Sequence, residues 1–129
     1  MNGAADIVGR EFDWFGVDSA GHVAMFATAG AGIVPDLVLA DHLAHDRVSD
    51  FFPVEHWGSE KVWDVFARFG LYVYDWDYST CSYQRLRVPT STMAEDLSKC
   101  FRDLASVPRF DFQFENRSMI DPVSDARAP

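Results

Sequence analysis

No stretch of this chain approaches the roughly 18 uncharged apolar residues that a membrane-spanning helix needs. The opening Met1-Asn2-Gly3-Ala4-Ala5-Asp6 has neither the basic start nor the apolar run of a secretory signal, so a cytoplasmic address is expected. Cysteine is scarce. Cys81 and Cys100 alone make neither a disulfide framework nor a zinc site, and a bridge between them would need an oxidising compartment. Basic residues are scarce as well: eleven Lys and Arg face twenty Asp and Glu, a net charge of −9. That excludes the phosphate neutralisation on which nucleic-acid binding rests, and attraction to anionic membrane surfaces. The deficit is uneven. Residues 1–60 hold ten acids but only Arg10 and Arg47, a balance of −8, whereas residues 61–129 balance at −1.

Catalytic signatures are missing too. There is no Gly-x-Ser-x-Gly, so no serine has a nucleophile-elbow context. Gly30-Ala31-Gly32 lies between a predicted strand and helix, as phosphate loops do. It lacks the third glycine of a dinucleotide fingerprint and the Gly-Lys-Ser/Thr of a P-loop, and Pro35 removes an amide at the helix start. No catalytic residue and no cofactor is expected.

What is present is a composition that folds: 48% hydrophobic residues, with eleven Phe and four Trp, in a length typical of one domain. Residues 12–17 and 22–27, joined by Asp18-Ser19-Ala20-Gly21, predict a β-hairpin. Pro35 suits the first turn of a helix from Asp36 to Asp46 or beyond. In that helix Leu37, Leu39, Ala40, Leu43, Ala44 and Val48 share the buried arc, and Asp41, His42, His45 and Asp46 share the outer one. A second helix fits Glu60 to Phe69, with Ser59 as N-cap and Gly70 as terminator. Strands at 71–77 and 83–88 follow. Arg85 and Arg87 are placed to pair across that hairpin with Asp75 and Asp77. Thr92-Met93-Ala94-Glu95 matches a capping box, and Met93, Leu97, Cys100, Phe101 and Leu104 form a core stripe behind it. Cys100 is thus expected buried, and Cys81 exposed near a turn. Arg109-Phe110-Asp111-Phe112-Gln113-Phe114-Glu115 alternates as a strand does. Residues 116–129 are polar and read as a tail to a domain over 1–115. The order ββ-αα-ββ-α-β predicts an α+β fold: a mostly antiparallel sheet of about five strands with about three helices.

Asp41-His42-Leu43-Ala44-His45-Asp46 is the most distinctive string. Two imidazoles and two carboxylates on one helix face suit a zinc ion or an oriented base. The histidines stand three apart, however, where the familiar helical zinc pattern has them four apart, and no third ligand is near. No stoichiometric zinc is expected, and a partner-binding face is the preferred reading. Tyr72, Tyr74 and Trp76 share one face of a strand, either as an aromatic inner face or as a binding surface. An alternative to binding is a small enzyme or ligand-binding domain with a pocket near His22, His42 or His56. A subunit of a homo-oligomer is a third reading.

The hairpin Asp13-Trp14-Phe15-Gly16-Val17-Asp18-Ser19-Ala20-Gly21-His22-Val23-Ala24-Met25-Phe26 resembles the start of small bacterial proteins encoded beside polymorphic or contact-delivered toxins. The strand Gly70-Leu71-Tyr72-Val73-Tyr74-Asp75-Trp76-Asp77 is similar to a later segment of them. The resemblance implies an immunity protein: cytoplasmic, non-enzymatic, and binding one toxin. A basic toxin would suit the acidic first half.

Overall fold

A computed structural model describes residues 12–54 and 59–125. The expected hairpin forms from β1 (Asp13–Val17) and β2 (Val23–Ala27), paired antiparallel. Asp18 shapes its turn: one carboxylate oxygen accepts the N–H of Ala20 at 3.0 Å and that of His22 at 2.8 Å.

The chain then crosses over through helices. The single helix expected from Asp36 is broken: α1 (Asp36–Leu39) ends at Ala40, and α2 (His42–Asp50) restarts after Asp41. The third helix, α3 (Lys61–Arg68), closes on Gly70. The Gly70 N–H reaches the Ala67 carbonyl and the Leu71 N–H reaches that of Phe66, both at 3.1 Å, the paired bonds of a Schellman cap. Gly70 adopts φ +96, which the motif requires.

β3 (Tyr72–Asp77) returns parallel to β2 and forms an antiparallel hairpin with β4 (Ser82–Arg87). The hairpin register sets Arg85 opposite Tyr74 and Asp75 opposite Gln84, and a shift between Val73 and Tyr74 sets Arg87 opposite Val73. Arg87 consequently meets Asp64 of α3 at 3.0 Å, and Arg85 donates to the Phe114 carbonyl at 2.7 Å. These are not the partners expected from simple alternation. α4 (Glu95–Asp103) follows without the expected capping box. Its N-cap is Ala94, with no side-chain cap bond, and Glu95 instead takes Arg102 at 2.6 Å. Cys100 is exposed rather than buried; Cys81 is exposed as expected, and both are free thiols.

The largest departure from sequence expectation follows α4. Residues 109–115 do not form a ladder strand. A lone bridge joins Arg109 to Val17, and the chain then runs into a 3-10 turn at Phe114–Asn116. The fifth strand is β5 (Met119–Ile120), inside the stretch expected to be a tail, and it pairs with β4. Ile120 is fully buried, so the packed unit continues past residue 115. The strand order is β1-β2-β3-β4-β5, and only the β2–β3 pair is parallel. The expected class, an α+β fold built on a mostly antiparallel sheet, is the one observed. No helix among the described residues is long and apolar enough to cross a membrane.

The sheet is curled. Strands three intervals apart in a flat sheet stand roughly 14 Å apart. Yet the rings of Trp14 on β1 and Tyr83 on β4 meet edge to face with centroids 5.5 Å apart, and the Trp14 indole N–H donates to the Tyr83 hydroxyl at 3.1 Å. The concave side holds Trp14, Phe26, Tyr74, Trp76 and Tyr83, with Phe110 and Phe114 laid over them. On the convex side Phe15, Met25 and Val73 pack against Phe52, Phe66 of α3 and Phe101 of α4. Burial on both faces explains the aromatic content, since each fully buried large side chain contributes about 1.5–3 kcal/mol.

Tyr83 ties three parts of the chain together. Its hydroxyl accepts from Trp14 and donates to the Ile33 carbonyl at 2.9 Å. A Cβ on Gly32 would stand 2.7 Å from that oxygen, which is why the loop needs a glycine there. Tyr83→Phe leaves a buried donor and an acceptor unmatched. It is expected to cost about 1–3 kcal/mol, read as a lower urea midpoint at unchanged slope.

Candidate functional site

The break at Ala40–Asp41 changes which residues face outward. His45, expected on the outer arc, is fully buried. Its Nδ1 accepts the Phe15 N–H at 3.2 Å, and its Nε2 lies 3.1 Å from the Ser106 carbonyl. Those two partners require a neutral ring with the proton on Nε2. Burial lowers the His45 pKa below its usual 6.5, against weaker opposing effects from the Ser106 carbonyl, Asp41 and Asp46. The residue covers the outer edge of β1, where Ser49 also reaches Asp13 at 3.3 Å. His42 is half-buried with its ring edge-on to Phe12, and Leu43, expected inside, is 59% exposed. Of the four residues proposed as one outer face, Asp41 is exposed and Asp46 keeps partial exposure. Tyr72, Tyr74 and Trp76 are buried, which matches the inner-face alternative and not a binding surface.

The surface offers two depressions of similar size. The first is an apolar groove of about 690 Å³ between α2 and α4. From α2 it takes Val48 and, one turn on, Phe51; from α4 it takes Leu97, Cys100 and Leu104. Phe51 is 70% exposed, whereas its neighbour Phe52 is buried against Phe66 with ring centroids 4.7 Å apart. Arg47 and Asp96 are the charged residues of its wall. The sequence reading passed over this groove. Its signal was the pair Phe51-Phe52 at a helix end: adjacent helical positions point about 100° apart, so one core cannot take both.

The second depression is a polar cleft, also about 690 Å³, where the β1–β2 turn meets the start of β3 and the loop before α4. His22 stands at its mouth, half-exposed, 3.5 Å from the fully buried Asp18 carboxylate and over the Tyr72 ring. Tyr72 and Glu115 line the same cleft. Of the other two histidines named with His22, His42 lies against Phe12, and His56 falls outside the described residues.

In the glycine loop after β2, the amides of residues 30–32 are already engaged within the loop. The N–H groups of Ala31 and Gly32 both bond to the Thr28 carbonyl, and that of Gly30 to the Thr28 hydroxyl. Among the described residues, no group of three or more His, Cys, Asp and Glu side chains is placed to hold a metal ion. The chain matches no protein-family model, no curated protein and no solved structure.

Proposed function

We propose that this chain is a non-catalytic protein-binding domain and, more narrowly, an immunity-type inhibitor of a basic toxin, working in the cytoplasm. The observation that carries the reading is the groove between α2 and α4, with Phe51 standing 70% exposed beside an almost wholly apolar wall. A contiguous apolar depression at the surface marks an interaction site, and a large aromatic lining it is the usual energetic anchor. Charge supports the partner class. The −8 balance of the first half includes Asp41, Asp46 and Asp50 around α2, against Arg47 alone. A cationic partner is drawn in by that field and held by the groove. Two exposed free thiols accord with a reducing compartment.

The test is binding to, and protection from, the product of the adjacent reading frame. Phe51→Asp and Leu97→Asp are expected to weaken the complex about a hundredfold, as loss of a central anchor does. They should also abolish relief of toxicity on co-expression. Asp41→Lys with Asp46→Lys is expected to slow association about tenfold and leave dissociation nearly unchanged, because exposed charge acts on encounter. Unaltered affinity in a folded Phe51→Asp variant would remove the groove from the interface. Toxicity unrelieved by the wild-type chain would remove the immunity reading.

A further inference from the structure

The wall of the α2–α4 groove is built from two rows of side chains at helical spacing. Ala44, Val48 and Phe51 form one row, and Leu97, Cys100 and Leu104 the other. Each row runs over seven positions, about 10 Å or two turns of helix. One charged group belongs to each helix, Arg47 to α2 and Asp96 to α4, and both are exposed. The other charges of α4 are paired with one another, Glu95 with Arg102 and Lys99 with Asp103. Neither Arg47 nor Asp96 is in an ion pair among the described residues.

These features decide what kind of chain can lie there. An extended segment presents a row of N–H and C=O groups and needs an open strand edge to receive them. The side chains of this wall offer hydrogen bonds only at Arg47 and Asp96, and weakly at the Cys100 thiol. An extended backbone pressed onto it would lose water and gain little in return, whereas a helix satisfies its own backbone. Rows at helical spacing also interdigitate with rows on another helix. Charge narrows the source of that helix. A second copy of this chain would bring another net charge of −9, with Asp41, Asp46 and Asp50 around its own α2, to a surface that already carries those residues. A helix from a cationic partner meets the opposite condition.

We propose, resting on the reading of this groove as the partner interface, that it receives one face of an amphipathic α-helix from a cationic protein. The helix engages for about two turns, with apolar side chains at i, i+3 or i+4, and i+7 lying between the two rows. Phe51 packs beside that stripe, a basic residue on one flank of the helix meets Asp96, and an acidic residue on the other flank meets Arg47.

The experiment uses the whole chain as Cys81→Ser, which leaves Cys100, on the groove wall, as the single thiol. The probes are synthetic peptides of about 18 residues, long enough to hold a helix. The first has a Leu stripe with Lys along one flank and a single Glu on the other. The second is a scramble of it without the stripe, the third carries two central prolines, and the fourth has Glu in place of every Lys. The first is expected to bind with a Kd of about 10–100 µM. At saturation it should slow alkylation of Cys100 by iodoacetamide about tenfold, because a covered thiol loses access to the reagent. Phe51→Asp should weaken this binding about tenfold with the urea midpoint unchanged, since Phe51 is exposed. Asp96→Lys should weaken it about fivefold, the scale of an exposed ion pair. The proposal is overturned if the scrambled or proline peptide protects Cys100 as well as the first, if the acidic peptide binds more tightly, or if no peptide protects it. A dimer of the chain in sedimentation equilibrium that Phe51→Asp dissociates would also overturn it, with a second copy as the occupant. Relief of toxicity bears on the immunity reading alone. A chain that binds the helical peptide but gives no relief keeps this site and loses that role; one that gives relief while no peptide protects Cys100 keeps the role and loses the site.

Discussion

His45→Leu is expected to lower the stability of the fold by about 2–4 kcal/mol, although leucine nearly matches the ring in volume. The loss is polar. Without the imidazole, the Phe15 N–H at the edge of β1 and the Ser106 carbonyl are buried with nothing to meet them, and each orphaned group costs about 1–3 kcal/mol. The same residue makes stability depend on pH. The folded chain holds His45 neutral with a pKa below the unfolded value of 6.5, because burial outweighs the carboxylates of Asp41 and Asp46. The unfolded chain therefore takes up the proton first as pH falls. The contribution of His45 is complete above about pH 6.5 and is lost as pH drops toward the lowered folded pKa. Urea midpoints at pH 7.5 and 5.5 should converge between wild type and His45→Leu at the lower pH. Parallel midpoints would mean that His45 is not held as a neutral, two-sided hydrogen-bonding group.

Gly70→Ala is expected to be of similar severity, about 3 kcal/mol or more, for a different reason. A residue with a Cβ at φ +96 is strained by roughly 1–2 kcal/mol wherever it occurs. Here the added Cβ would also stand 2.6 Å from the backbone nitrogen and 2.7 Å from the Cα of Met93. Backbone cannot swing aside as a side-chain tip can, so the loop before α4 must move, and with it the docking of Phe101 on the convex face. Gly21→Ala separates the two effects. Gly21 has φ +86, but its Cβ would meet nothing within 4 Å. It should show the conformational cost alone, so Gly70→Ala should lower the thermal midpoint well beyond Gly21→Ala. Equal shifts would show that the contact with Met93 carries no cost.

Where one side-chain period runs through a whole element, the sequence reading and the structure agree. The hairpin at 13–27, the strands at 72–77 and 82–87, and α3 with its Gly70 terminator are of this kind. Disagreement begins where a local signal is silent. No proline or glycine marks the break at Ala40–Asp41, so a single helical phase was carried through, and it put His45 outside and Leu43 inside. The alternation of Phe110, Phe112 and Phe114 is genuine, and Phe110 and Phe114 are buried. Their backbone is satisfied differently: the Phe110 N–H by the Val17 carbonyl, and the Phe114 N–H by the Asp18 carboxylate, 96 positions earlier in the chain. A side-chain pattern does not say where the amides go. Met119–Ile120 is too short to display any period. Of the four residues read as a partner face from charge, Asp41 is exposed and Asp46 partly so. The depressions lay beyond a one-dimensional reading, because their walls come from elements far apart in the chain.

The segment from Pro108 to Ile120 works as a strap. It fastens to the outer edge of β1 through Val17, crosses the concave aromatic face with Phe110 and Phe114, and fastens again to the outer edge of β4 as β5. One stretch thereby covers the β4 margin, completes at Val17 the cover that His45 and Ser49 begin on β1, and roofs one of the cores. It also follows every other strand in chain order. A nascent chain emerging from the ribosome has made β1 to β4, with Trp14, Phe26, Tyr74 and Tyr83 already in place, before it has made their cover. During that interval the half-built protein presents sticky aromatic surface and the open margin of β4, the features that draw unfinished chains together or recruit chaperones. The domain thus hides that aromatic surface under a segment made only after the four strands that present it.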